Sequence, residues 1–190
     1  MFKLFKKSSR KKLEKLPSDF GIIVVDMQEL FFKYILDGKK KNMIDAQTEI
    51  INVAAKYNYP VIVLEFEGCG ETFPKIKYAT SKVLKNKTVM KENANGFEKT
   101  DLVDTLNELE VQSVGLMGVF GSRCVMETAQ GAITRNINYL TAETLIADNY
   151  LFGSKMHSHL KFSTIDWHKE NALIYFQNHK KLIELMEGGC

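Results

Sequence analysis

The run Phe20 to Met27, FGIIVVDM, constrains the fold more than any other stretch, because it is apolar throughout except for Asp26 near its end. A strand with one wet face alternates polar and apolar residues. This one does not alternate, so it is expected to be covered on both faces, as strands are when helices pack on either side of a parallel sheet. Val61–Glu67 (VIVLEFE, behind Pro60), Val111–Val119 and Asn138–Ala147 have the same character, and Thr88–Glu92 and Asn171–Phe176 are shorter candidates. Between them, helical spacing of apolar residues predicts helices over Asn42–Tyr57, Ile76–Leu84, Glu98 to Glu110 with Thr100 or Glu98 near its cap, Cys124–Arg135, Ser154–Trp167 and Lys180–Met186. Strands alternating with helices through short links define an α/β protein: a three-layer α/β/α sandwich around a six-stranded, doubly wound parallel sheet of Rossmann-like form.

At 190 residues the chain suits one domain with a full core. No apolar run approaches the roughly 18–20 residues that span a bilayer. Cys69, Cys124 and Cys190 are widely spaced and form no CxxC pair. That excludes a disulfide framework and a zinc ribbon, and points to a reducing, cytoplasmic setting. The net charge of +3 is a property of one end: Met1–Leu16 carries Lys3, Lys6, Lys7, Arg10, Lys11, Lys12 and Lys15 against Glu14 alone. Setting those 7 of the 26 basic residues and Glu14 of the 23 acidic ones aside leaves 19 against 22, so the body is slightly acidic. Residues 1–18 therefore read as a basic tail and 19–190 as the domain. The tail lacks the apolar segment of a secretory signal. It reads as a solvated lead-in or, with Phe2, Leu4, Phe5, Leu13 and Leu16 interspersed, as an amphipathic helix against anionic lipid or nucleic acid.

Three of the strands end in a polar residue that a buried strand would not choose: Asp26, Lys91 and Cys124. In a parallel sheet the C-terminal strand ends lie on one edge, where ligand crevices form. Cys124 follows the turn Phe120-Gly121-Ser122-Arg123 and opens a helix, whose free N–H groups favour a thiolate. Taken alone, Cys124 reads equally as a small buried hydrophobe. Together the three make chemical sense: a carboxylate to take the thiol proton, an ammonium to balance charge, a sulfur to attack. Phe31, Phe32, Phe97 and Phe120 are candidate walls of a substrate pocket, or ordinary core aromatics.

The blocks VVDMQELFF (Val24–Phe32), VMKENANGFEKTDL (Val89–Leu102) and GVFGSRCVMETAQGA (Gly118–Ala132), with LIADN (Leu145–Asn149) behind them, resemble the isochorismatase-like cysteine hydrolase superfamily, which includes nicotinamidases, N-carbamoylsarcosine amidohydrolases and biuret hydrolases. The resemblance implies a catalytic triad of Asp26 as base, Lys91 as electrostatic partner and Cys124 as nucleophile. It further implies a cis peptide at Val119-Phe120, an oxyanion hole made by the backbone amides of Phe120 and Cys124, and a homo-oligomer. Where nicotinamidases carry an Asp-x-His metal motif this chain reads Glu65-Phe66-Glu67-Gly68-Cys69. Glu65, Glu67 and Glu71 could hold a hard cation, but with no histidine nearby the expectation is no metal and no cofactor. The histidines fall late, at His157, His159, His168 and His179, and a Cys-His dyad is the rival mechanism. The expected activity is hydrolysis of a small amide, imide or ureido C–N bond through an acyl-enzyme, with the substrate selected by loops around Phe31, Cys69 and Asn149. The alternative is a non-hydrolytic member of the fold that binds a small molecule or partner, using its basic tail for attachment.

Overall fold

The computed structural model describes residues 13–149 and 164–188. Its strands are β1 (Phe20–Val25), β2 (Val61–Phe66), β3 (Asn86–Lys91), β4 (Ser113–Val119), β5 (Asn138–Ala142), β6 (Ile146–Ala147) and β7 (Ile174–Phe176). The helices are α1 (Glu29–Phe32), α2 (Asp37–Tyr57), α3 (Pro74–Thr80), α4 (Leu102–Glu108), α5 (Cys124–Ile133), α6 (Thr164–Asn171) and α7 (Lys180–Glu187). The sheet order is β3-β2-β1-β4-β5-β7, every ladder is parallel, and β6 pairs with the end of β4. Because β1 runs to β2 on one side and β4 starts the other half, the order reverses between β1 and β4, and the C-terminal ends of these two strands are where a doubly wound sheet places its ligand site.

Burial follows the pattern read from β1. Ile22 and Val24 face one core cluster, shared with Ile50 and Ile51 of α2, Ile76 of α3 and Leu182 of α7. Ile23 and Val25 face the other, with Leu102 and Leu106 of α4 and Val125 and Ala129 of α5. These two apolar layers make the expected three-layer sandwich. Each fully buried Val, Leu or Ile removes enough apolar area from water to favour the fold by about 1.5–3 kcal/mol.

Two departures have local causes. The expected strand Asn138–Ala147 is interrupted at Glu143–Leu145 by a 3-10 turn, so its last two residues pair with β4 as β6 and the sheet has seven strands. Helix α2 begins five residues earlier than its apolar spacing marks, at Asp37, whose acid sits in the first turn. Its end is sharp, since Asn58 adopts the left-handed conformation at φ 59. Thr100 does serve near the start of α4, accepting the Leu102 amide at 3.3 Å. Of the expected helix Ser154–Trp167, residues 164–167 belong to α6 and the rest lies outside the described residues, as do most of the basic tail and Cys190. Leu16 is 3% exposed in the first core cluster and Leu13 packs beside it, so the described end of the tail is anchored to the domain. No described helix is long and apolar enough to cross a membrane.

Candidate active site

Asp26 is the first residue after β1 and has a left-handed φ of 52, uncommon for a side chain other than Gly, Asn or Asp. Its amide donates to Leu64 O at 3.0 Å, which ties the turn to β2. Gln28, two residues on, is fully buried and behaves as a short piece of strand: Phe66 N donates to its Oε1 at 2.8 Å, and its Nε2 donates to Phe66 O at 3.0 Å and to Gly70 O. Gln28 does not stand out in the sequence as a site residue. Its only sequence signal is an amide within an otherwise apolar stretch beside a strand-end acid.

Lys91 closes β3, two strands from β1, and its length makes up the distance. It lies beside Phe66 in the β2–β3 register, passes its Nζ 4.6 Å from the Phe66 ring centre, and brings it to 2.9 Å from Asp26 Oδ2. Both side chains are buried, at 0% and 1% exposure. Lys91 Nζ also donates to Asn93 O at 2.9 Å. The Asp26 contact is an ion pair without hydrogen-bond alignment, and among the described residues neither Asp26 oxygen has a hydrogen-bond donor of good geometry. Burial raises the Asp26 pKa, although Lys91 and Cys124 both pull it down. The result is a carboxylate primed to accept a proton.

Cys124 is the first residue of α5, as its spacing predicts. It is 6% exposed and lies against Asp26, each side chain perturbing the other's ionisation. Burial first, and the Asp26 charge second, push the thiol up to about 12, with Lys91 only partly offsetting them. Burial and the Asp26 charge thus work against the thiolate that the helix start alone favours, and Asp26 is the neighbour that can take the thiol proton. The turn before it contains the cis peptide Val119-Phe120. Gly118 makes the approach possible, because at φ 137 a Cβ would sit 2.0 Å from Val25 O.

The amides of this turn can be accounted for one by one. Gly121 N donates to Ala147 O at 2.9 Å, Ser122 N to Asp148 Oδ1 at 2.8 Å, and Arg123 N and Val125 N to Phe120 O at 3.0 and 3.1 Å. The amides of Phe120 and Cys124 have no acceptor among the described residues. An oxyanion hole needs backbone N–H groups that are not engaged elsewhere, and among the described residues these two meet that condition.

The proposed pocket walls divide. Phe31 and Phe120 stand edge-to-face with centroids 5.7 Å apart, and Phe66, which the sequence analysis did not select as a wall, meets Phe31 at 6.3 Å. Phe32 and Phe97 are not walls of this kind: each is 4% exposed, Phe32 packed edge-on against Phe73 in one core and Phe97 in the other. Apolar periodicity on α1 does not say which of two adjacent phenylalanines turns inward. An open cavity of about 640 Å³ lies between α1 and the loop after β2, lined by Glu29, Leu30, Lys33, Cys69, Glu71 and Thr72. These are two of the loops expected to select the substrate, but Asp26, Lys91 and Cys124 do not line the cavity.

The three glutamates are not assembled as a metal site. Glu65 accepts both the amide and the hydroxyl of Thr72, at 2.8 and 2.7 Å, and Glu71 pairs with Lys77 at 2.7 Å. Among the described residues no three His, Cys, Asp or Glu side chains cluster closely enough to hold an ion. Among the described residues no histidine takes the place of Asp26: His179 bonds Thr144 and Glu49, and His168 bonds Gly121 O and Tyr139. His157 and His159 lie outside the described residues.

A parallel sheet whose switch point gathers an aspartate, a lysine and a cysteine defines an α/β protein of the cysteine hydrolase type. The isochorismatase domain model matches residues 21–156, and the chain belongs to the isochorismatase family, within the isochorismatase-like cysteine hydrolase superfamily. Comparison with curated proteins yields no match. Among solved structures, the MAR1 ribonuclease from Caenorhabditis elegans is 21% identical with a TM-score of 0.75, over 92% of this chain and 85% of that one. A nicotinamidase from Staphylococcus aureus is 23% identical with a TM-score of 0.65, over 82% and 96%. An N-carbamoylsarcosine amidase from Thermoplasma acidophilum is 16% identical with a TM-score of 0.69, over 85% and 96%. At these identities the likeness is one of fold.

Proposed function

We propose that this protein hydrolyses a C–N bond in a small amide, imide or ureido compound through a covalent acyl-enzyme on Cys124. Asp26 takes the thiol proton as sulfur attacks the substrate carbonyl, and the developing oxyanion is received by the Phe120 and Cys124 amides. The C–N bond then breaks and the amine leaves with the proton held by Asp26. Water, giving a proton to Asp26, attacks the thioester; the C–S bond breaks, the acid is released and the proton returns to sulfur. Lys91 keeps Asp26 ionised between steps against the effect of burial, and Phe31, Phe66 and Phe120 exclude bulk water.

The observation that carries this reading is the Asp26 carboxylate: 1% exposed, ion-paired on one side to Lys91 at 2.9 Å, lying against the Cys124 thiol, and otherwise without hydrogen-bond donors among the described residues. Two of the solved neighbours, named as a nicotinamidase and an N-carbamoylsarcosine amidase, make amides and carbamoyl compounds the first substrates to screen. The test is release of ammonia or amine from such a panel by the wild type, Cys124→Ala and Asp26→Asn. Both variants are expected to lose turnover by at least about 10³-fold. Turnover retained in Cys124→Ala sinks the covalent mechanism, and binding without turnover in the wild type favours a non-hydrolytic role.

A further inference from the structure

His168 is fully buried, takes no part in the chemistry above, and lies beyond the stretch of chain that the family model matches. Its Nε2 is 2.9 Å from Gly121 O. A carbonyl can only accept, so Nε2 carries the proton and Nδ1 is left as an acceptor, facing the Tyr139 hydroxyl at 3.3 Å. Tyr139 is itself 1% exposed, and the rings of Tyr139 and Trp167 meet the imidazole edge-on with centroids 6.0 and 5.0 Å away. The imidazole is thus held on both nitrogens and two sides.

The group it holds matters because of where it lies. The peptide joining Gly121 to Ser122 has two polar ends: its carbonyl is taken by His168, and its N–H by Asp148 Oδ1 at 2.8 Å. The Ser122 hydroxyl adds a second bond to the same Asp148 oxygen at 2.6 Å. This one peptide unit is clamped at both ends, from α6 on one side and from the residue after β6 on the other. It lies between Phe120 and Cys124, whose amides have no acceptor among the described residues. With its plane fixed, the chain on either side has little freedom to turn those amides away.

We infer that His168, oriented by Tyr139, is a positioning residue that aims the Phe120 and Cys124 amides at the substrate oxyanion by clamping the Gly121-Ser122 peptide. This rests on the acyl-enzyme reading, and the test separates the two. The probe is acetaldehyde, which adds reversibly to a reactive cysteine: sulfur bonds to the carbonyl carbon, the C=O π pair moves to oxygen, and the thiol proton passes to Asp26 or to that oxygen. The adduct needs the hole, whereas alkylation of the same sulfur by iodoacetamide does not. Acetaldehyde affinity is read as protection of Cys124 from iodoacetamide, followed by mass spectrometry of the Cys124 peptide.

His168→Phe keeps a ring and removes the donor; His168→Gln restores an N–H near the Nε2 position. The expected result for His168→Phe is acetaldehyde binding weakened about 10- to 100-fold, below the loss for deleting a hole donor outright, with the unprotected alkylation rate within about 3-fold of wild type. His168→Gln is expected to recover most of the affinity. Tyr139→Phe, a milder change that leaves the imidazole in place, is expected to weaken binding about 3- to 10-fold by the same logic, and serves if His168→Phe does not fold. Acetaldehyde affinity unchanged in His168→Phe, or in Tyr139→Phe should that be the variant used, overturns the inference while leaving the acyl-enzyme reading in place. So does a His168→Gln variant as weak as His168→Phe. A wild type that forms no adduct at Cys124 removes the acyl-enzyme reading and the inference with it.

Discussion

The ion pair between Asp26 and Lys91 can be tested as a thermodynamic unit, because both side chains are essentially inaccessible and only 2.9 Å apart. Asp26→Asn is a near-isosteric change that also tolerates the left-handed φ of 52, so the backbone is not a confounding cost. It leaves the Lys91 ammonium buried without a counter-charge. Breaking such a pair from one side costs about 3–5 kcal/mol, which in a domain of this size lowers Tm by about 6–20 °C at roughly 2–4 °C per kcal/mol. Lys91→Met keeps the aliphatic stem and strands the carboxylate, which can neutralise itself by taking a proton, so its loss is expected to be smaller. The double variant holds two neutral groups and is expected within about 1 kcal/mol of wild type, as replacements of whole buried pairs often are. The assay is urea unfolding at constant m-value for all four proteins, closed as a cycle. The pH dependence gives a second check. Burial raises the Asp26 pKa from its ordinary 3.8, so the native state holds a proton that the unfolded chain gives up sooner, and stability falls as pH rises from 3.8 through the raised value. That fall is expected to widen in Lys91→Met and vanish in Asp26→Asn. Losses that simply add in the double variant, or an Asp26→Asn cost below about 1 kcal/mol, refute the argument that the two charges are held against desolvation by each other.

Other outcomes follow from single contacts. Because burial and Asp26 push the Cys124 thiol up to about 12, its alkylation rate is expected to keep rising with pH through 10, and Asp26→Asn is expected to move that profile to lower pH; a plateau near pH 7 in the wild type refutes this. Gly118→Ala places a methyl 2.0 Å from Val25 O at φ 137, and soluble yield is expected to collapse; a well-folded variant with wild-type Tm contradicts the close β1–β4 approach. Thr128→Val deletes the fully buried hydroxyl that accepts the Gly96 amide at 2.9 Å, and is expected to cost about 1–3 kcal/mol in urea unfolding. A cost near zero there means the amide finds another partner.

Much of this protein was legible locally. The unbroken apolar runs announced a doubly covered parallel sheet, since strand burial is written into each strand's own residues: Ile22 and Val24 on one face, Ile23 and Val25 on the other. Asp26 and Lys91 were visible for the same reason, as polar side chains at the ends of buried strands, and Cys124 as a thiol at the start of a helix. The break at Glu143–Leu145 was not legible, because an apolar segment looks alike whether it continues one strand or leaves it to pair with another. Phe32 and Phe97 read as walls in the sequence and Phe66 does not, on similar grounds: aromatic residues carry no local mark of whether they face a core or a crevice.

The chain order by itself determined the sheet, its covering helices, and the identity of Asp26, Lys91 and Cys124 as residues that needed an explanation. Only the tertiary structure decided how they act. It put the Lys91 ammonium across β2 against Asp26, buried the Cys124 thiol beside a proton acceptor that opposes its ionisation, and brought His168 from α6 to the Gly121-Ser122 peptide. The physical reason is that periodicity and propensity are short-range properties, carried by neighbours along the chain. Desolvation and hydrogen-bond partnership depend on what is nearby in space, and that is set only when distant segments pack together.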